Sequence, residues 1–263
     1  MSGMWIRGVT VLLAAVLLVS GCVRTNDGVR EVRTDEAVAN RVSAALEYLQ
    51  MDRPNEARQH LVRALEMDNR NARAHNAMAL LYRYEDDAER EEEHYRKALR
   101  ADRDYAPART NYGTMLLREG RYREAVRELR RAADNQAYDR RALAYEHLGR
   151  AHVQLEQPEE ALAAFNRAVR LDRNAVRPYL ELARLHHEKG NFRTAANYFG
   201  EYTNRVGGVD NQGPRALWIG IRIAEANGNR RERETMERVL EEEFPRSPEF
   251  RAWREWREQE GYS

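Results

Sequence analysis

The sequence predicts an all-α protein, an array of about six stacked helix-turn-helix units. Two observations carry this. Charged residues make up 33% of the chain and hydrophobic ones 42%, with only 7 prolines in 263 residues, a composition of helices with solvated faces and a real apolar core. From residue 38 onward the chain is also self-similar. Asn55-Glu56-Ala57…Leu61…Ala64-Leu65-Glu66-Met67-Asp68 recurs as Pro158-Glu159-Glu160-Ala161…Phe165…Ala168-Val169-Arg170-Leu171-Asp172. Such a pattern means units that cannot bury an apolar face alone and must stack.

Residues 1–21 read as a lipoprotein signal peptide rather than as part of the fold. Arg7 gives a positive start, and Val9 to Val19 is an apolar run. That run is shorter than the roughly 20 residues a membrane-spanning helix needs, and suits a signal-peptide core. Leu18-Val19-Ser20-Gly21-Cys22 follows, an aliphatic residue and small residues ending on the chain's single cysteine. This resembles a bacterial lipobox, and it implies a diacylglycerol and an N-acyl lipid on Cys22. With no second cysteine, an intramolecular disulfide is excluded. Several acyl chains anchor stably where one binds only marginally. Position 23 is Val rather than Asp, which by enterobacterial-type sorting points to the periplasmic face of the outer membrane. Residues 22–37 show no apolar period and are expected to be a flexible tether.

The period of the remaining chain is close to 34, the value for the tetratricopeptide repeat, and the residues resemble that family. The small residue of position 8 falls at Ala45, Ala79, Gly113, Gly149 and Ala183. The large residue of position 11 falls at Tyr48, Tyr82, Leu116, His152 and His186. Ala57, Ala125, Ala161 and Ala195 take position 20; Leu61, Tyr95, Leu129, Phe165 and Phe199 take position 24; Ala64, Ala98, Ala132 and Ala168 take position 27. Small residues let neighbouring helices approach and large ones fill what remains. The resemblance implies a tetratricopeptide-repeat right-handed superhelix over 38–247, with repeats at 38–71, 72–105, 106–139, 142–175 and 176–209 and a degenerate unit at 214–247. Glu91 and Tyr202 stand where alanine is expected, so contacts there should be looser or locally different. Glu119-Gly120, Lys189-Gly190 and Asn227-Gly228 close first helices, and Phe244-Pro245 and Ser247-Pro248 end the last unit. Residues 248–263, with Trp253, Trp256 and Tyr262, are expected to form a C-terminal cap.

Several function classes are disfavoured. A chain starting at Cys22 has 43 basic and 43 acidic side chains, interspersed as in Arg231-Glu232-Arg233-Glu234. Nucleic-acid binding wants a surplus of basic charge on one face, so no nucleic-acid partner is expected. The sequence has no Gly-rich phosphate loop, no HExxH and no CxxC. His186 and His187 are adjacent and diverge by about 100° on a helix, which disfavours a shared metal. No catalytic residue, no metal ligand and no cofactor beyond the lipid is expected; the chain reads as a monomeric binding protein, not an enzyme.

In the repeat family, positions 2, 5, 9 and 12 of each first helix face the concave groove. The expected partner-binding residues are Val42, Leu46 and Leu49 in the first repeat and Arg73, Asn76, Leu80 and Arg83 in the second. Thr114 and Leu117 in the third, Arg150 in the fourth and Arg184 in the fifth complete the set. The apolar first repeat suits an amphipathic helix or an extended apolar segment; an alternative is that a preceding helix or the tether covers it. The arginines, Arg177 included, suit carboxylates.

The order of parts, the segment Asn111-Tyr112-Gly113 and the degenerate unit Pro214 to Gly228 followed by Phe244-Pro245-Arg246-Ser247-Pro248 resemble the PilF/PilW family of type IV pilus biogenesis lipoproteins. This resemblance implies a pilotin, which binds subunits of the pilus secretin, carries them to the outer membrane and promotes their multimerisation. The alternatives are a scaffold for another envelope assembly machine or for a cell-wall enzyme.

Overall fold

A proline in the first helical turn opens several of the helices, and a left-handed residue follows the first helix of each hairpin. The computed structural model describes residues 25–259; the expected signal peptide, Cys22, Val23 and Tyr262 lie outside them. Every regular element among the described residues is helical, and the chain divides into two compact units, Met1–Arg103 and Asp104–Ser263. Unit 1 holds α1 (Thr25–Gln50), α2 (Pro54–Met67), α3 (Ala72–Tyr84) and α4 (Ala88–Ala101). Unit 2 holds α5 (Ala106–Arg118), α6 (Tyr122–Asp134), α7 (Arg141–Gln154), α8 (Pro158–Leu171), α9 (Val176–Glu188) and α10 (Phe192–Val206). It continues through a 3-10 turn at Val209–Asn211 to α11 (Pro214–Ala226), α12 (Arg230–Glu243) and α13 (Pro248–Gln259). The odd-numbered helices α1 to α11 are the first helices of the hairpins and α13 is an added cap.

One turn geometry recurs in every hairpin. Asp52 and Asp86 in unit 1, and Gly120, Glu156, Gly190 and Gly228 in unit 2, all have positive φ. The next residue's N–H then donates back to the carbonyl five residues earlier, as from Arg53 to Tyr48 and from Gln157 to His152, each at 2.9 Å. This C-terminal motif satisfies carbonyls that the helix leaves open. Glycine adopts it freely, whereas a residue with a Cβ does so at a cost.

The small and large positions meet as pairs. In unit 1, Ala45, Ala57, Leu61, Ala64 and Leu81 are fully buried in one cluster. In unit 2 the approach is closer. A Cβ at Gly113 would fall 2.5 Å from Leu129 Cγ, and one at Gly149 would fall 2.6 Å from Phe165 Cε1. The sixth hairpin keeps this device one residue early: a Cβ at Gly220 would lie 2.3 Å from Phe199 Cζ and 2.4 Å from Met236 Sδ. The turn at Gly228 stays in the register that starts at 214.

The structure corrects the tether. Helix α1 begins at Thr25, so residues 25–37 are helical and not an irregular linker. Val38, Val42 and Ala45 are buried and anchor the helix to the core, and each residue that extends it adds one hydrogen bond. No proline interrupts Thr25 to Gln50. Tyr202, where alanine was expected, is buried against Phe199 at 5.9 Å between centroids, and α10 contacts α11 more thinly than α8 contacts α9. A ring at a close-approach position pushes the next helix away, and the segment Gly207 to Gly213 supplies the slack. Glu91 is buried at 1% exposure, in the repeat after which the first unit ends.

Candidate functional site

In unit 1 the first-helix face combines half-buried leucines with exposed arginines. Leu46 and Leu49 on α1 are half-buried, packed at the edge of the core, and Leu80 on α3 is half-buried as well. Arg73 and Arg83 on α3 are exposed, and no carboxylate among the described residues lies in ion-pair reach of either. Two members of the expected set do not belong on this face. Val42 is 7% exposed and joins the core with Ala45 and Ala74, and Asn76 is 8% exposed. Helix α3 packs against α1 as well as α2, so the inner edge of the α1 stripe becomes core.

Behind this face lies a histidine pair. His75 Nε2 is 3.1 Å from the Asn69 carbonyl, which can only accept, so Nε2 carries the proton. Neutral His75 then accepts at Nδ1 from His94 Nδ1, 3.2 Å away. Burial, followed by the Lys97 charge, lowers His94 to about 4; His75 is lowered by burial too. Tyr82 on the same helix has Arg58 and Arg90 over its ring at 5.3 and 4.9 Å, which fixes the edge of the hairpin.

In unit 2 the corresponding face is wired to itself. Arg177 Nη1 donates to Glu146 at 3.0 Å. Burial raises Glu146 against the pull of Arg177 and Arg150. Glu181, 5% exposed, accepts from Arg184 Nε at 3.0 Å and from Arg215 Nη2 at 2.6 Å, tying α9 to α11. Arg184 Nη1 also holds Glu188 at 2.7 Å. Arg177 and Arg184, expected to grip a partner's carboxylates, thus hold the chain's own. The repeat pattern could not show that Glu146, Glu181 and Glu188 reach these cations.

The rest of that set is mixed. Thr114 Oγ1 donates to the Thr110 carbonyl at 2.8 Å, so its hydroxyl proton serves its own helix. Leu117 and Arg150 line a cavity of about 390 Å3 with Tyr122, Val153, Glu181 and Arg215. Arg150 Nη1 donates to His147 Nδ1 at 3.3 Å. Burial, then the Arg150 charge, lowers His147 to about 4. His152 and His186 pack as expected for position 11: His152 Nδ1 is 2.7 Å from Gln157 Oε1, and His186 stacks on Tyr198 at 5.4 Å.

One feature was missed by sequence reasoning. Trp253 of α13 is buried, and its Nε1 donates to Glu237 of α12 at 3.1 Å. This seats α13 so that Trp256 meets Trp218 of α11 edge-on at 5.8 Å. Together with α9 and the start of α10 they enclose a cleft of about 820 Å3. The signal available was the pair of tryptophans in the tail. Among the described residues no three His, Cys, Asp or Glu side chains converge in a metal-holding group, and no helix is long and apolar enough to cross a membrane.

Comparison with known proteins agrees with this geometry. Tetratricopeptide-repeat models match residues 72–105 and 104–174. The type IV pilus assembly protein PilF of Pseudomonas aeruginosa is 32% identical over 251 residues, covering 94% of this chain and 97% of PilF. A solved structure from the functional characterization of Pseudomonas aeruginosa PilF superposes with a TM-score of 0.79 at 32% identity, over 84% of this chain and 98% of that one. PilW, described as a widely conserved type IV pilus biogenesis factor, superposes with a TM-score of 0.70 at 26% identity, over 82% of this chain and 97% of that one.

Proposed function

This chain belongs to the PilF family of type IV pilus assembly proteins, and from that premise we propose that it is a lipid-anchored pilotin whose unit 1 binds secretin subunits. The single observation that carries the reading is the first-helix face of unit 1. Half-buried Leu46, Leu49 and Leu80 share the first helices with exposed Arg73 and Arg83, which have no carboxylate in ion-pair reach among the described residues. A surface of that kind takes the apolar stripe of an amphipathic helix with acidic residues on its flanks.

On this proposal Cys22 carries the lipid that gives the complex its address at the outer membrane. The anchor holds the chain at the periplasmic face, and the bound secretin subunit is delivered there and multimerises. The two roles separate experimentally. Cys22→Ser should leave unit 1 folded and able to bind, while secretin multimers disappear from the outer-membrane fraction. Normal outer-membrane multimers in cells carrying only Cys22→Ser would sink the proposal.

A further inference from the structure

The cleft at the end of unit 2 has a chemistry of its own. Phe192, Trp218, Ile219 and Trp256 supply apolar surface, and Phe192 is 40% exposed. Among the cleft's charges, most are neutralised internally. Arg184 holds Glu181 and Glu188, Arg215 holds Glu181, and Glu225 holds Arg233. Glu249 lies in the first turn of α13, where the helix end favours a carboxylate. That leaves Arg222, an exposed residue of α11 with no ion-pair partner among the described residues. Its guanidinium carbon is 5.4 Å from the Trp218 ring centre and 5.9 Å from that of Trp256. It is also close enough to His187 to help burial lower that imidazole.

A guanidinium held against two indoles is oriented by them, yet keeps N–H donors for a ligand. The cleft therefore offers half-buried Trp218 and Trp256 and exposed Phe192 beside an arginine with no ion-pair partner among the described residues, and Glu249, the other charge of the lining without one, sits at the start of α13. Its volume falls within the range of roughly 300–1,000 Å3 typical of ligand sites, enough for a few side chains. We propose that this cleft docks an acidic segment of a protein partner in which an aromatic or large aliphatic side chain lies next to an Asp or Glu. The apolar side chain packs on Trp218, Ile219 and Trp256, and the carboxylate pairs with Arg222. A side-chain carboxylate fits better than a free chain terminus, because terminal carboxylates are captured by several converging donors and the neighbouring arginines are already engaged. The site is separate from the unit 1 face, so it stands or falls independently of secretin binding there.

The test is peptide binding to the full chain, read by anisotropy and by indole emission. The probes are a short labelled peptide alternating Phe and Asp, one with Asn for Asp, one with Ser for Phe, and an amidated form of the first. The Phe/Asp peptide should bind saturably and perturb indole emission, with or without the amide. The Asn and Ser peptides should bind at least about tenfold more weakly, as expected for loss of a charge-assisted pair or of an aromatic anchor. Arg222→Glu should abolish binding, and Trp218→Ala should weaken it with unchanged helical circular dichroism. Arg254→Glu, on an exposed part of α13, should leave it intact. Lack of saturation, equal binding of the Asn peptide, or full binding by Arg222→Glu would overturn the proposal. So would a requirement for the free terminal carboxylate, which would make the site a chain-end clamp.

Discussion

Units 1 and 2 are built from the same hairpin, yet their first-helix faces differ in what they leave open. In unit 1, Arg73 and Arg83 stand exposed beside half-buried leucines with no carboxylate among the described residues in ion-pair reach. In unit 2, Arg177, Arg184 and Arg215 are bridged to Glu146, Glu181 and Glu188 across or along helices. A pairing of this kind, with Glu181 buried, removes both partners from easy use by a ligand, since breaking it leaves a charge in a poorly hydrated place. The repeat dictates where a groove residue points. Whether that residue is available depends on what the next helix brings to meet it.

The units also differ in how closely their helices approach, and this gives the largest expected effect on stability. The close-approach position is alanine in unit 1, at Ala45 and Ala79, whereas unit 2 has alanine at Ala183 but glycine at Gly113, Gly149 and Gly220. Gly220→Ala should destabilise unit 2 by about 1–3 kcal/mol, because Phe199 and Met236 must both move. Ala79→Gly in unit 1 should cost only about 0.5–1 kcal/mol, from backbone entropy. Hydrogen exchange resolved by segment would check both; equal losses would erase the distinction.

Protonation should act on both units in the same direction. His94 in unit 1 and His147 in unit 2 are lowered to about 4 from the ordinary 6.5 by burial. Between those values the unfolded chain binds more protons than the folded one. Stability is therefore complete above pH 6.5 and is lost as pH falls toward 4. Thermal unfolding midpoints should drop between about pH 7 and pH 5, and His94→Gln or His147→Gln should each shrink the drop. A midpoint that rises on acidification would contradict this reading.

The smallest effect isolates a single turn. Asp52 and Asp86 fill the left-handed position in unit 1, as Glu156 does at φ 55° in unit 2. Glu lacks the short polar side chain that makes this conformation tolerable for Asp or Asn. Glu156→Gly should raise stability by about 1 kcal/mol, visible as a higher denaturant midpoint. Asp86→Gly should gain less.

Much of this architecture was legible in the chain. The 34-residue period placed the hairpins because one small residue per helix sets the approach and one left-handed residue sets the turn. What escaped the period depended on contacts between elements far apart in sequence. Val42 is core because α3 packs on α1, and Gly220 replaces the expected position because Tyr202 and the 3-10 turn displace α11. The cleft exists because Trp253 docks on α12 and swings Trp256 over Trp218. Residues 25–37 lack an apolar stripe, yet extend a helix anchored in the core by Val38, Val42 and Ala45. The signal peptide and lipobox are read from residues 1–23, outside the described structure.

The central claim, that unit 1 presents the secretin-binding face, is tested most directly by a binding titration. Purified secretin subunits would be titrated against the chain and against two variants, Leu46→Glu with Leu80→Glu, and Arg150→Gln. Both leucines are half-buried rather than core, so the first variant should stay folded by circular dichroism. The account predicts that it loses at least about tenfold in affinity, as expected when a charge enters an apolar contact, while Arg150→Gln changes affinity by less than about threefold. Undiminished binding by the leucine variant, or a large loss with Arg150→Gln alone, would contradict it.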